Sequence, residues 1–60
     1  MVTVGSKWTG GNRSFVVTAK EEKDNEVWIH YQVTDPNANP TEFSCFEQAF
    51  VSRFIQDQTQ

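Results

Sequence analysis

Val27-Trp28-Ile29-His30-Tyr31-Gln32-Val33 is the stretch on which the fold turns. Successive side chains of a strand point to opposite faces, so residues two apart share one. Val27, Ile29, Tyr31 and Val33 then line one face, and Trp28, His30 and Gln32 the other. The first set is β-branched and aromatic, the residue types that pack well on a pleated surface, and it can supply one wall of a core by itself. The second set holds the only polar-aromatic cluster of the chain. Either another element covers it, or a large aromatic stands open beside a histidine.

Upstream, Ser14–Lys20 alternates in the same way, with Phe15, Val17 and Ala19 expected inward and Val16, Thr18 and Lys20 outward. Glu21-Glu22-Lys23-Asp24-Asn25 joins the two strands as a charged hairpin loop of five residues, a length that fits a type I turn. Thr9-Gly10-Gly11-Asn12 is the strongest turn signal, because Gly reaches positive φ without steric cost and Asn tolerates it. Before it, Val2–Trp8 reads as a first strand or an extended lead-in, with a bend at Gly5.

Downstream, Thr34–Pro40 carries two Pro and two Asn and reads as a loop. Thr41–Ser44 is expected to form a short fourth strand with Phe43 inward. Ser44-Cys45-Phe46-Glu47 has the form of a capping box, in which Ser44 accepts from the Glu47 backbone N–H and the Glu47 carboxylate reaches back. Phe46, Ala49, Phe50, Arg53 and Phe54 then recur at helical spacing, predicting a C-terminal helix over about residues 45–56. Val51 and Ile55 fall off that stripe, where they widen the apolar surface or touch a partner. Asp57–Gln60 reads as a fraying polar tail.

The chain is read as one small domain spanning 1–60, mainly β with one helix (α+β). The expected architecture is a strongly bent antiparallel sheet of three to four strands, with an SH3-like barrel as its most economical closed form. A three-stranded sheet with the helix laid across one face is the alternative. Composition agrees: five Phe, two Trp and no Leu disfavour a helical bundle. A chain of 60 residues buries only about 60% of the surface its unfolded form exposes, so nearly every large apolar residue must serve the core.

Charge and cysteine usage narrow the function. Five Lys and Arg against eight Asp and Glu give a net charge of −3. Nucleic-acid binding draws its affinity from clustered cations on phosphates, whereas Lys7, Arg13, Lys20, Lys23 and Arg53 are scattered. The acidity is too slight for a nucleic-acid mimic. One cysteine, Cys45, forms no internal disulfide, which favours a reducing, cytoplasmic setting. Met1–Val4 has neither the charged start nor the apolar run of a secretory signal. No stretch approaches the ~20 apolar residues that span a bilayer, so no membrane role is expected. Asn12-Arg13-Ser14 matches the glycosylation acceptor pattern, a triplet common by chance.

Catalytic and metal chemistry find little support. His30 and Cys45 are single representatives of their kind. A Cys–His pair with the thiol at a helix start would be physically coherent, but a packed, apolar role for the cysteine is preferred. One His and one Cys do not complete a zinc site, and the glycines at 5, 10 and 11 have no phosphate-loop spacing. No cofactor or metal is expected. Trp28 is expected to pack against the helix or a curled neighbouring strand, given the area a Trp buries. Left exposed beside His30, it would be a contact hot spot. Arg53, within the apolar stripe, is expected to lay its stem along the sheet, the sharper alternative being a salt bridge to an acidic partner or a phosphate.

Trp8, Phe15-Val16-Val17, Val27-Trp28-Ile29-His30-Tyr31 and the segment Phe43-Ser44-Cys45-Phe46-Glu47-Gln48-Ala49-Phe50-Val51-Ser52-Arg53-Phe54 together resemble small proteins of tailed bacteriophages and prophages. The resemblance covers most of the chain, although the Thr34–Pro40 loop is longer than it leads one to expect. It brings no settled activity and no functional residues. It implies a product made inside an infected bacterium, acting on or beside host proteins.

The expected function is therefore a non-enzymatic binding module that docks on a host protein in the bacterial cytoplasm, through Trp28, His30, Arg53 and Arg13. Two other classes remain open. An SH3-like nucleic-acid-binding domain would use Trp28, His30 and Arg13 or Lys7 to stack on and neutralise a single strand. A structural homo-oligomer, such as a homodimer, would pair strand edges or helices.

Overall fold

The computed structural model describes residues 2–35, 37 and 41–57. Five strands and one helix follow one another as β1 (Lys7–Gly10), β2 (Arg13–Lys23), β3 (Glu26–Val33), β4 (Glu42–Phe46), α1 (Glu47–Arg53) and β5 (Ile55–Gln56). The strands form a single antiparallel sheet of order β4-β3-β2-β1-β5. The fold is thus mainly β with one helix, with a strand more than expected. Among the described residues β4 and β5 are free edges. The sheet is open, and the closure of a barrel is not present. Positions 36, 38–40 and 58–60, which belong to the expected loop and tail, lie outside the described residues.

The β2–β3 hairpin is the backbone of the sheet. Its turn is tighter than expected: β2 runs to Lys23, and only Asp24 and Asn25 connect it to β3. Both have positive φ, 54° and 66°. That is the two-residue turn whose twist matches the flanking strands, and Asp and Asn are the residues that tolerate it best without being glycine. The Gly10-Gly11-Asn12 turn falls where expected, with Gly11 at φ 62°.

Phe15 pairs with Val33 and Val17 with Tyr31, so these four share one face. An irregularity between Val17 and Ala19 then changes the parity of β2. Thr18 is the extra residue of a bulge, which leaves one residue unpaired and turns the following side chains over. Ala19, expected inward, pairs with His30 on the opposite face, and Lys20, expected outward, pairs with Ile29 on the core face. Lys20 is satisfied there. Its Nζ donates to the Val2 carbonyl at 3.1 Å and lies 3.4 Å from Glu47 Oε2.

The helix is seven residues long, shorter than the expected 45–56. Cys45 and Phe46 belong to β4, and Ile55 and Gln56 form β5 against β1. The expected capping box is absent: Phe46 is the N-cap, with no side-chain cap bond. Strand pairing holds Ser44 opposite His30, and Glu47 turns to Lys20 instead. Asp57, expected to fray, is tied to β1. Its N–H donates to the Lys7 carbonyl at 2.9 Å, and its Oδ1 accepts from Thr9 Oγ1 at 2.6 Å.

The core consists of Val2, Trp8, Phe15, Val17, Ile29, Tyr31 and Phe50, with Val27, Val33, Cys45 and Phe54 packed against it. Phe50 carries α1 onto this face. Its ring lies 4.9 Å from Trp8 and 5.0 Å from Tyr31. Phe54 continues the contact to Phe15 at 4.9 Å and Tyr31 at 5.3 Å. Edge-on aromatic pairs at such spacings add to area burial. Phe43, expected inward, does lie on this face and stacks on Tyr31, but edge strand β4 leaves it 38% exposed.

Candidate docking face

With α1 on the Ile29–Tyr31 face, the helix does not cover Trp28. Cross-strand partners share a face, so the register places Trp28 beside Phe46 and Glu21, His30 beside Ser44 and Ala19, and Gln32 beside Glu42 and Val16. This is the outer face of the sheet. Trp28 is half-buried, and what it packs on is the neighbouring strand: the Phe46 ring centroid is 4.2 Å away at an interplanar angle of 46°. Phe46, expected to lead the helical stripe, thus faces away from the core and is 41% exposed. Six of the eight aromatics of the chain gather on the core face, and Trp28 and Phe46 stand together on the other.

His30 sits between two carboxylates. Nε2 is 3.4 Å from Glu21 Oε1, and Nδ1 is 3.8 Å from Glu42 Oε1. Thr18 Oγ1 donates to Glu42 Oε2 at 3.1 Å and approaches the His30 carbonyl at 3.2 Å. The bulge residue therefore helps hold one of the two carboxylates in place. Because the two acids approach opposite ring nitrogens, the trio does not converge on one point. Among the described residues, no group of three or more His, Cys, Asp and Glu is placed to hold a metal ion.

The other expected site residues lie elsewhere. Arg53 is exposed in the last turn of α1, on the core side of the sheet. Its charge is felt by Tyr31 and Cys45. Arg13 is exposed at the start of β2, at the end of the hairpin away from the Asp24–Asn25 turn. It lines a shallow hollow of about 340 Å³ with Asn12, Ser14, Val33, Thr34 and Asp35. Trp28 and His30 therefore form one surface, which Arg53 and Arg13 do not join. Phe46 and Glu21 are members that the sequence reading missed. Phe46 was hidden by its fit to helical spacing, and Glu21 by the assumption that it lies in a loop.

Two open hollows flank the aromatic pair. One, of about 270 Å³, is lined by Glu21, Lys23, Asp24, Glu26, Trp28 and His30. The other, of about 530 Å³, lies between the hairpin turn and the start of α1, against Asn25, Val27, Phe46 and Ala49.

Cys45 is half-buried on the core face beside Tyr31. Burial pushes its thiol above the ordinary range, against the smaller opposing effects of the Tyr31 hydroxyl and the Arg53 charge. Burial also raises the Tyr31 phenol, helped by Cys45. A thiol held protonated is the reverse of the activated thiolate that nucleophilic chemistry needs.

No protein-family model, no curated protein and no solved structure matches the chain. No helix among the described residues is long and apolar enough to cross a membrane.

Proposed function

We propose that the chain is a non-enzymatic, phage-type binding module that docks on a host protein in the bacterial cytoplasm, and that the outer face around Trp28 is its docking surface. One observation carries the reading. The helix seals the Ile29–Tyr31 face and leaves the Trp28–Phe46 pair half open on the other. In a chain this small, large aromatics are needed for the core, so two of eight spent on the outer face argue for a use there. Trp in a well-packed surface pair is a frequent source of binding energy. The five-strand order, with the last strand returning beside the first, supports reading the fold as an open relative of the SH3-like barrel.

Capture from bacterial lysate with wild-type chain and with Trp28→Ala tests this. The wild type is expected to retain a specific protein that the variant loses, with both giving the same thermal unfolding cooperativity. Equal capture by the two would sink the docking face.

Two other readings retain an observation each. Nucleic-acid binding would draw on Trp28 and Lys7, which share the outer face, but Glu21 and Glu42 flank that surface and would repel phosphates. A homodimer would draw on the free β4 and β5 edges and on Ile55, which is 77% exposed on β5, since open edges invite pairing. Light scattering at high concentration separates monomer from dimer.

A further inference from the structure

We propose that the Trp28 surface takes an arginine or lysine side chain from a basic segment of the protein partner, its cation over the indole ring and its charge met by Glu21 and Glu26. This deepens the docking reading and rests on it. Trp28 is bounded on the outer face by four neighbours whose positions follow from the register. Phe46 lies across on β4, Glu21 lies across on β2, Glu26 lies two residues back on β3 itself, and His30 lies two residues on, its Nε2 3.4 Å from one oxygen of Glu21. The hollow beside the ring is lined by three carboxylates, Glu21, Asp24 and Glu26, against one cation, Lys23. An indole face attracts a cation through its quadrupole, more strongly than Phe or Tyr does, and carboxylates at the rim complement the same charge. Phe46, packed at 4.2 Å, props the indole on one side and offers apolar surface to the aliphatic stem of such a side chain.

The same charges argue against the other occupants. Phosphates would meet the carboxylates unfavourably. A second copy of this chain offers no basic segment, because Lys7, Arg13, Lys20, Lys23 and Arg53 are all separate in sequence and Lys20 is engaged by Glu47 and Val2.

The test is a titration of the full ¹⁵N-labelled chain with hexa-arginine peptide at low salt, followed by NMR. The Trp28 indole N–H is expected to shift. The Trp8 indole, which donates to Ser6 Oγ at 2.8 Å from within the core, is expected to stay. Hexa-glutamate should shift neither. Glu21→Gln with Glu26→Gln should weaken peptide binding and Lys23→Gln should strengthen it, each by about two- to fivefold, the upper scale of a solvent-exposed charge pair. These variants change exposed side chains, so folding is preserved when Trp28→Ala does not fold. An unshifted Trp28 indole at millimolar peptide, equal affinity in the charge variants, or a larger Trp28 shift with single-stranded oligonucleotide would overturn the proposal. If Trp28→Ala abolishes lysate capture while hexa-arginine fails to bind, this inference falls and the docking face stands. If Trp28→Ala leaves capture intact, it is the docking face that falls.

Discussion

Gly10 has a role that its place in a turn signal conceals. A Cβ added there would lie 2.2 Å from Phe54 Cδ1 and 2.4 Å from Cε1. Phe54 is itself wedged against Phe15, Tyr31 and Phe50, so the ring has little room to retreat. Gly10→Ala is expected to destabilise the chain by about 1–3 kcal/mol, as overpacking does, readable as a lower denaturant midpoint. Gly11→Ala should cost less through packing, since nothing lies near its added Cβ, and more through its positive φ. A second residue-scale prediction concerns alkali. Cys45 and Tyr31 both have raised pKa values in the fold, so the fold favours their neutral forms. That contribution is whole below the unfolded-state values, about 8.5 for Cys and 10 for Tyr, and is lost as pH climbs through the folded ones. Thermal unfolding midpoints should therefore fall above about pH 9, and Cys45→Ala should flatten the first part of that fall. A midpoint indifferent to pH between neutrality and the phenol range would contradict the assignment.

At the scale of elements, what the sequence makes legible depends on whether pairing or periodicity decides. The faces of Val27–Val33 follow from alternation alone, and the structure keeps them. The parity of Ala19 and Lys20 does not follow, because Thr18 fits an alternating strand as well as it fits a bulge and nothing local marks the extra residue. The helix start differs from its expected place for a related reason. Ser44 to Glu47 satisfies a capping pattern, yet Ser44 and Phe46 gain more by pairing with His30 and Trp28 on β3. The hairpin loop is shorter than its charge leads one to expect. Five polar residues look like a loop, but a strand that projects into solvent on both faces needs no apolar alternation. The resulting turn makes a direct prediction. Asn25 holds φ 66°, where glycine carries no Cβ penalty, so Asn25→Gly should stabilise the hairpin by a few tenths to about 1 kcal/mol, measured as a raised denaturant midpoint. A loss of stability would contradict the two-residue turn.

Across the whole molecule, the bulge, the short helix and the position of Phe46 act together. The bulge turns Lys20 inward, where it meets Glu47 at the helix start and the Val2 carbonyl on the N-terminal arm. Both contacts lie on the face that α1 and the arm cover. Phe50 and Phe54 then complete the core, and the opposite face keeps Trp28, Phe46 and His30. The sequence made Trp28 and His30 legible as one cluster but not the face the helix takes, because both faces of β3 carry enough apolar area to receive it. Arg53 and Arg13 were grouped with them by residue type, and the fold separates what type alone had joined. The proposals for function all depend on the helix lying where it does. Aromatic NOEs on the full chain test that placement most directly. Phe50 ring protons should give cross-peaks to Trp8 and Tyr31, and Phe46 ring protons to Trp28. Cross-peaks from Phe50 to Trp28, with none to Tyr31, would put the helix on the other face and contradict the account.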